Sequence, residues 1–467
     1  MEFISTRGKD GPISFETALL NGLARDGGLY LPVSWPCFNL DEIRQMRDLS
    51  YSDLAGLIMS RFTDGEINQV EMTSLARQSY ADFTHPDVAP LRPVAENIHI
   101  LELFHGPTIA FKDYAMQFLS RVFDRALTRQ NRTAVILGAT SGDTGSAALE
   151  AFKGRDSVDV FILFPEGRVS PVQQKQMTSI SAKGAHAVAV SGDFDDCQDM
   201  VKACFNDVAF RDEMKLSAVN SINWARLMPQ IVYYFASALK VGAPEQTVAF
   251  CVPTGNFGNV FAGWVAAKMG LPVEKFIVAS NRNDILTRFF VTGTMQRRSV
   301  DPSLSPSMDI QVSSNFERLL FELLDRDGVE VARLMKRFAK SGSFDVAENV
   351  LQAALSLFSG FCLDDDGTKV EIRSTYQQTG MVIDPHSAVG LAGARQARAS
   401  GLVSRDTPII SLACAHPAKF PDAVQSSCGI YPELPEHLAN LMQRDDVMLT
   451  AENDMEAVQA LLRAERR

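Results

Sequence analysis

From about residue 100 onward, short unbroken apolar runs alternate with segments of helical period. Thr133–Leu137 (TAVIL) precedes a helix predicted over Gly145–Phe152. Val158–Phe164 (VDVFILF) precedes one near Pro171–Ala182, and Ala185–Val190 one near Cys197–Phe205. Thr247–Val252 precedes one near Val260–Met269, and Lys275–Ala279 follows. Strands apolar on both faces and separated by helices predict a parallel sheet covered on both sides. The fold class is therefore α/β, doubly wound. TPIISLACA, residues 407–415, reads as another buried strand, preceded by a helix that starts near Pro385. ENDMEAVQALLRAERR reads as a terminal helix.

The first 95 or so residues have a different texture and read as a separate unit. FISTRG and GGLYLP are short strands, with an amphipathic helix at SFETALLNGLA between them and further helices at LDEIRQMRD and DLAGLIMSRF. Between residues 300 and 375 the pattern is weak. DPSLSPSMDI is loop-like, and LDDDGTK reads as a turn or surface hairpin.

Composition narrows the function classes. Of 467 residues, 46% are hydrophobic and 22% charged, which fits a globular protein with ample core. The net charge of −11, with Lys and Arg scattered, argues against a nucleic-acid surface. Any anionic ligand must then be held by local features. Seven cysteines without a CxxC pair point to reduced thiols and a cytoplasmic location, and no metal-ligand spacing is present. No secretory signal and no run of about 18 apolar residues is found, so no membrane association is expected.

Several motifs carry chemistry. GATSGDTGSA, Gly138 to Ala147, follows a strand and opens a helix. Ser141, Gly142, Asp143, Thr144 and Gly145 there offer backbone N–H groups and hydroxyls to a carboxylate or phosphate, or form a plain capping loop. PTGNFGN, Pro253 to Asn259, occupies the same kind of position. Its glycines let the backbone close around a phosphate or make a tight βα turn, and its spacing is neither the P-loop nor the dinucleotide pattern. In NSINWARL, Asn220 or Ser221 is a candidate helix cap, and Arg226 a candidate phosphate fork. Lys112, in HGPTIAFKDYA, sits among apolar neighbours. A lysine so placed can exist partly as the free amine and attack an aldehyde, or it is an ordinary surface residue. In CAHPAKF, His416 and Lys419 follow the last apolar strand, where open α/β sheets commonly bind ligands. Together these features suit a phosphorylated aldehyde cofactor with an anionic substrate, and pyridoxal 5′-phosphate fits.

The ordered set ELFHGPTIAFKD, TSGDTGSAA, NSINWAR, PTGNFGN and AHPAKF resembles the threonine synthases of bacterial and fungal type, a family of fold type II pyridoxal-phosphate enzymes. The resemblance covers nearly the whole chain, including GLARDGGLYLP near its start. It implies a tryptophan synthase β-like fold: two doubly wound parallel-sheet domains plus an N-terminal α+β unit. The divisions expected are an N-terminal domain at 1–95, a smaller α/β domain at 115–240, and a larger cofactor-binding domain from 96–114 with 241–467.

The resemblance also implies roles by position. Lys112 matches the catalytic lysine that carries the cofactor. Gly255, Asn256, Phe257, Gly258 and Asn259 match the cup for its phosphate, and Asp143 lies near its phenolic oxygen. Ser141 and Thr144 match contacts to the substrate carboxylate. Asn220, Ser221, Asn223 and Arg226 match contacts to the substrate phosphate. Where the family typically has Thr as the pyridine-nitrogen partner, this chain has Cys414, a weaker hydrogen-bonding group. The implied activity is the last step of threonine biosynthesis: a lyase converting the small molecule O-phospho-L-homoserine and water to L-threonine and phosphate. The alternative is a phospholyase releasing 2-oxobutyrate, phosphate and ammonia. The implied assembly is a monomer or homodimer.

Overall fold

Val248–Pro253, Val273–Ser280 and Ile409–Ala413 form adjacent parallel strands in the computed structural model of the chain, which describes residues 1–467. Val248–Pro253 and Ile409–Ala413 are buried throughout, as unbroken apolar runs require. Six strands make the larger sheet, in the order Phe358–Cys362, Val273–Ser280, Val248–Pro253, Ile409–Ala413, Ile98–Glu102 and Leu91–Ala95. Only the last pair is antiparallel.

The smaller sheet is wholly parallel, in the order Leu449–Ala451, Ala185–Val190, Val158–Pro165, Ala134–Ala139 and Leu216–Ser217. Its edge strand therefore comes from the tail of the chain. The helix Met455–Glu465 follows it, and its Val458 and Leu462 pack with Cys197, Met200 and Cys204 of the helix Phe194–Asn206. The larger domain thus does not run to residue 467. The apolar stripe of the last helix needs a partner, and the exposed flank of the smaller sheet supplies it.

The first strand, Phe3–Ser5, pairs antiparallel with Tyr30–Pro32, and helices at Phe15–Asn21, Leu40–Gln45, Tyr51–Ser60 and Gln69–Tyr80 follow. This unit has no core of its own. Phe3, Phe15 and Phe62 belong to the same apolar cluster as Trp224, Tyr233 and Val260. The segment expected to be a turn at LDDDGTK is instead the start of the helix Asp365–Thr379. Asp364 caps it, accepting from the Gly367 N–H at 2.8 Å. Aspartates that signal a turn equally stabilise a helix N-terminus. No helix is long and apolar enough to cross a membrane.

Candidate active site

Lys112 is the first residue of the helix Lys112–Arg129, beyond the C-terminal end of the parallel strand Ile409–Ala413. The turn before it is anchored to the end of the last strand. Ala110 bridges Ala415, and the Phe111 N–H donates to the Cys414 carbonyl at 2.8 Å. Ile109 holds a left-handed φ of 55°. Along the chain Lys112 has apolar neighbours, but in space it has a carboxylate. Its Nζ lies 3.2 Å from Asp143 Oδ2. This differs from the sequence expectation, because the partner arrives from the other domain.

Asp143 opens the helix Asp143–Phe152 and is buried. Its Oδ1 accepts from Gln173 Nε2 at 2.7 Å and faces Lys419 Nζ at 3.0 Å. Its Oδ2 faces Lys112 and also accepts from Ser307 Oγ at 3.2 Å. Burial alone would raise this carboxyl. The ammonium groups of Lys112 and Lys419, the Gln173 amide and His386 outweigh it, holding Asp143 well below the usual carboxylate range. The helix N-terminus favours the same anion. Inside the turn, Thr140 Oγ1 accepts from the Gly142 and Gly145 N–H groups at 3.0 and 2.9 Å. The N–H groups of Ser141, Asp143 and Thr144 donate to nothing in the protein.

The second loop is built the same way. Val248–Pro253 ends, Phe257 turns through a left-handed φ of 61°, and the helix Gly258–Lys268 begins. None of the N–H groups of Gly255, Asn256, Phe257, Gly258 or Asn259 donates within the protein. Five unspent amides around one turn form an anion cup. A Cβ on Gly255 would stand 3.0 Å from the Ser307 carbonyl oxygen, so this loop lies directly against the residue that reaches Asp143. The loop is braced from outside: Ser313 Oγ donates to the Gly255 carbonyl at 2.7 Å, and Asn315 Nδ2 to the Asn256 carbonyl at 3.1 Å.

The NSINWAR segment abuts this cup. The Ser221 carbonyl lies 4.0 Å from where a Cβ on Gly258 would stand. Tyr233, on the helix Trp224–Lys240, donates to Asn259 Oδ1 at 2.7 Å. That helix is capped by Asn223, not by Asn220 or Ser221. Asn223 Oδ1 accepts from the Ala225 N–H at 3.0 Å, and its Nδ2 donates to the Leu19 carbonyl at 2.9 Å. Its side chain is fully buried and ties the N-terminal unit to the start of this helix. Asn220 is exposed and Ser221 half-buried. Arg226 is the unusual member. It is 4% exposed, its Nη1 reaches only the Val219 carbonyl at 3.1 Å, and its Nε has no partner. Burial lowers its pKa to about 10, so it remains a cation at neutral pH, with no carboxylate paired to it. An uncompensated buried cation is costly unless an anion docks against it.

Sequence reasoning missed part of this site. Ser307 lies in the weakly patterned region, and its N–H donates to His386 Nε2 at 3.2 Å. His386 Nδ1 lies 2.7 Å from Asp384 Oδ2. A carboxylate only accepts, so Nδ1 donates to Asp384. No local signal links DPHS to Ser307. In the sequence Lys419 stands out only as a residue that follows a strand end. His416 caps the short turn after it, accepting from the Ala418 N–H at 3.2 Å, and burial pushes its pKa down to about 4. Cys414 is buried, its Sγ 4.0 Å from the Leu412 carbonyl, and burial pushes its thiol up, so it stays neutral.

The residues fit pyridoxal phosphate: a lysine beside a fixed carboxylate, a cup of free amides for a phosphate, and a neutral group at the strand end. Residues 89–346 match the family of pyridoxal-phosphate dependent enzymes, residues 2–80 the threonine synthase N terminus, and residues 387–462 the threonine synthase C-terminal family. Over 463 residues the chain is 49% identical to the threonine synthase of Pseudomonas aeruginosa, covering 99% of this chain and 98% of that one. The chain belongs to the threonine synthase family. Pyridoxal-phosphate-bound threonine synthase from Brucella melitensis, 50% identical, superposes over all of both chains with a TM-score of 0.97. Yeast threonine synthase, 38% identical, gives 0.94 over 99% of this chain and 98% of that one. The threonine synthase fold here is accordingly that of a fold type II pyridoxal-phosphate enzyme.

Proposed function

We propose that the chain converts O-phospho-L-homoserine and water to L-threonine and phosphate, with Lys112 as the cofactor-bearing and catalytic residue. Arg226 carries the phosphate part of this reading: a buried arginine on the helix that follows Ser221, whose charge no carboxylate balances. The bound cofactor supplies the electron sink for negative charge at the substrate α-carbon. The rest is done by the chain. Lys112, when its amine is free, would take the proton from the α-carbon, give it up again to the cofactor–substrate adduct, and then take the one from the β-carbon. Asp143 keeps the Lys112 nitrogen aimed. The free N–H groups of Ser141, Asp143 and Thr144 hold the substrate carboxylate. Those of Gly255 to Asn259 hold the cofactor phosphate, and Cys414 offers the ring nitrogen a neutral partner. Arg226, with Asn220 and Ser221, holds the substrate phosphate and balances its charge as it leaves the γ-carbon. Water then adds at the β-carbon.

The test mixes the purified holoenzyme with O-phospho-L-homoserine and follows phosphate, threonine and 2-oxobutyrate together. Threonine equal to phosphate is expected. Phosphate matched by 2-oxobutyrate would replace this reading with a phospholyase, and no phosphate would overturn both.

A further inference from the structure

We propose that Lys419 is a positioning residue, the fixed cation that keeps Asp143 ionised and offsets its charge, so that Asp143 aims Lys112 without claiming its proton outright. Lys419 is fully buried. Its Nζ meets three acceptors: Asp143 Oδ1 at 3.0 Å, the Thr108 carbonyl at 2.8 Å and Gln176 Oε1 at 2.9 Å. Two of these contacts are hydrogen bonds, to Thr108 and Gln176, and the third is an ion pair with Asp143; together they fix the buried ammonium in place. Its acceptors come from the turn before Lys112, from the helix Pro171–Thr178 and from the start of the helix Asp143–Phe152.

The two oxygens of Asp143 are divided between two cations. Oδ1 faces Lys419 and Gln173, and Oδ2 faces Lys112 and Ser307. Lys112 is 12% exposed and is the member that the chemistry uses. When its nitrogen gives up a proton, Asp143 without Lys419 would be a buried anion with no cation beside it. The remaining titratable groups nearby are His386, held between Asp384 and the Ser307 N–H, Asp384 itself, and the buried Cys414 thiol. Asp113 is bonded to Thr108 and also lies within the field of Lys419, which pulls its carboxyl down.

This inference rests on Lys112 bearing the cofactor. Lys112→Ala tests that separately, because it must lose the visible absorption of the bound cofactor. The inference itself is tested by titrating that absorption in the holoenzyme across neutral and alkaline pH. Lys419→Met should raise the midpoint by about 1 unit or more, because the site then becomes net negative when Lys112 deprotonates. Lys419→Arg, which keeps the charge, should restore it. An unchanged or lowered midpoint in folded Lys419→Met overturns the proposal. Should Lys419→Met fail to fold, Asp143→Asn decides: it must lower the midpoint, and an unchanged midpoint overturns the proposal as well.

Discussion

Gln173 donates its side-chain amide to Asp143 at 2.7 Å, across a turn that only Gly142 makes room for. Gly142 has a φ of 144°, and a Cβ there would stand 2.5 Å from the amide carbon of Gln173. Gly142→Ala should therefore displace Gln173 from Asp143 as well as strain the turn. The expected result is a loss of about 1–3 kcal/mol in stability and a fall in kcat of about tenfold or more. Thermal unfolding and turnover measure the two effects. Wild-type turnover in the variant would show that Gln173 does not orient Asp143.

Arg226 is where stability and function should oppose each other. Its burial without a counter-anion costs the ligand-free protein stability, so Arg226→Met should unfold at a higher temperature than the wild type, by on the order of 1 kcal/mol. The same variant should lose most kcat/KM. Added inorganic phosphate should raise the unfolding temperature of the wild type and leave the variant unmoved. Equal phosphate stabilisation of both proteins would place the anion site elsewhere.

Asn259 joins the phosphate cup to the core. Its Oδ1 accepts from Tyr233 at 2.7 Å and from Tyr234 at 2.9 Å, both rings being fully buried. Asn259→Leu leaves those hydroxyls without that acceptor, at a cost of about 1–3 kcal/mol. It should also loosen the start of the helix Gly258–Lys268, so that the cofactor's visible absorption is lost on dialysis sooner than in the wild type. Retention at the wild-type rate would mean the cup is held by Ser313 and Asn315 alone.

Two buried groups give stability opposite pH dependences. Burial raises the Asp113 carboxyl to about 6, against Thr108 hydrogen bonds and Lys419 that pull it down. A raised acid keeps its proton longer folded than unfolded, so its stabilising term is full below 3.8 and is lost as pH rises through about 6. His416 runs the other way. Its value falls from 6.5 to about 4, so stability drops as pH falls through that interval. Asp113→Asn removes only the first term. Relative to the variant, the wild type should therefore lose on the order of 3 kcal/mol between about pH 4 and pH 6. Denaturant midpoints of both proteins across that range measure it, and a constant difference would show Asp113 ionised throughout.

What could be read from the sequence was local. PTGNFGN and GATSGDTG are legible because a buried strand, a glycine turn and a helix start are contiguous, and unspent amides follow from that order. The carboxylate beside Lys112 is not contiguous with it, and no periodicity announces Asp143, Ser307 or Lys419 as its neighbours. NSIN offers several capping side chains within four residues, and the choice of Asn223 is made by the Leu19 carbonyl on another segment. The strand at Leu449–Ala451 reads as tail until the edge of the smaller sheet is seen to lack a neighbour.

That edge strand has a consequence for synthesis. The sheet that presents Asp143 is laid down early, from Ala134–Ala139 to Leu216–Ser217, but its last strand and the covering helix emerge from the ribosome only after the whole larger domain. A nascent chain thus carries an unpaired edge at Ala185–Val190 and an uncovered apolar face at Cys197 and Cys204 for most of its translation. A chain released early would keep that edge open to strangers, and the part of the protein that aims Lys112 would be the part most ready to aggregate.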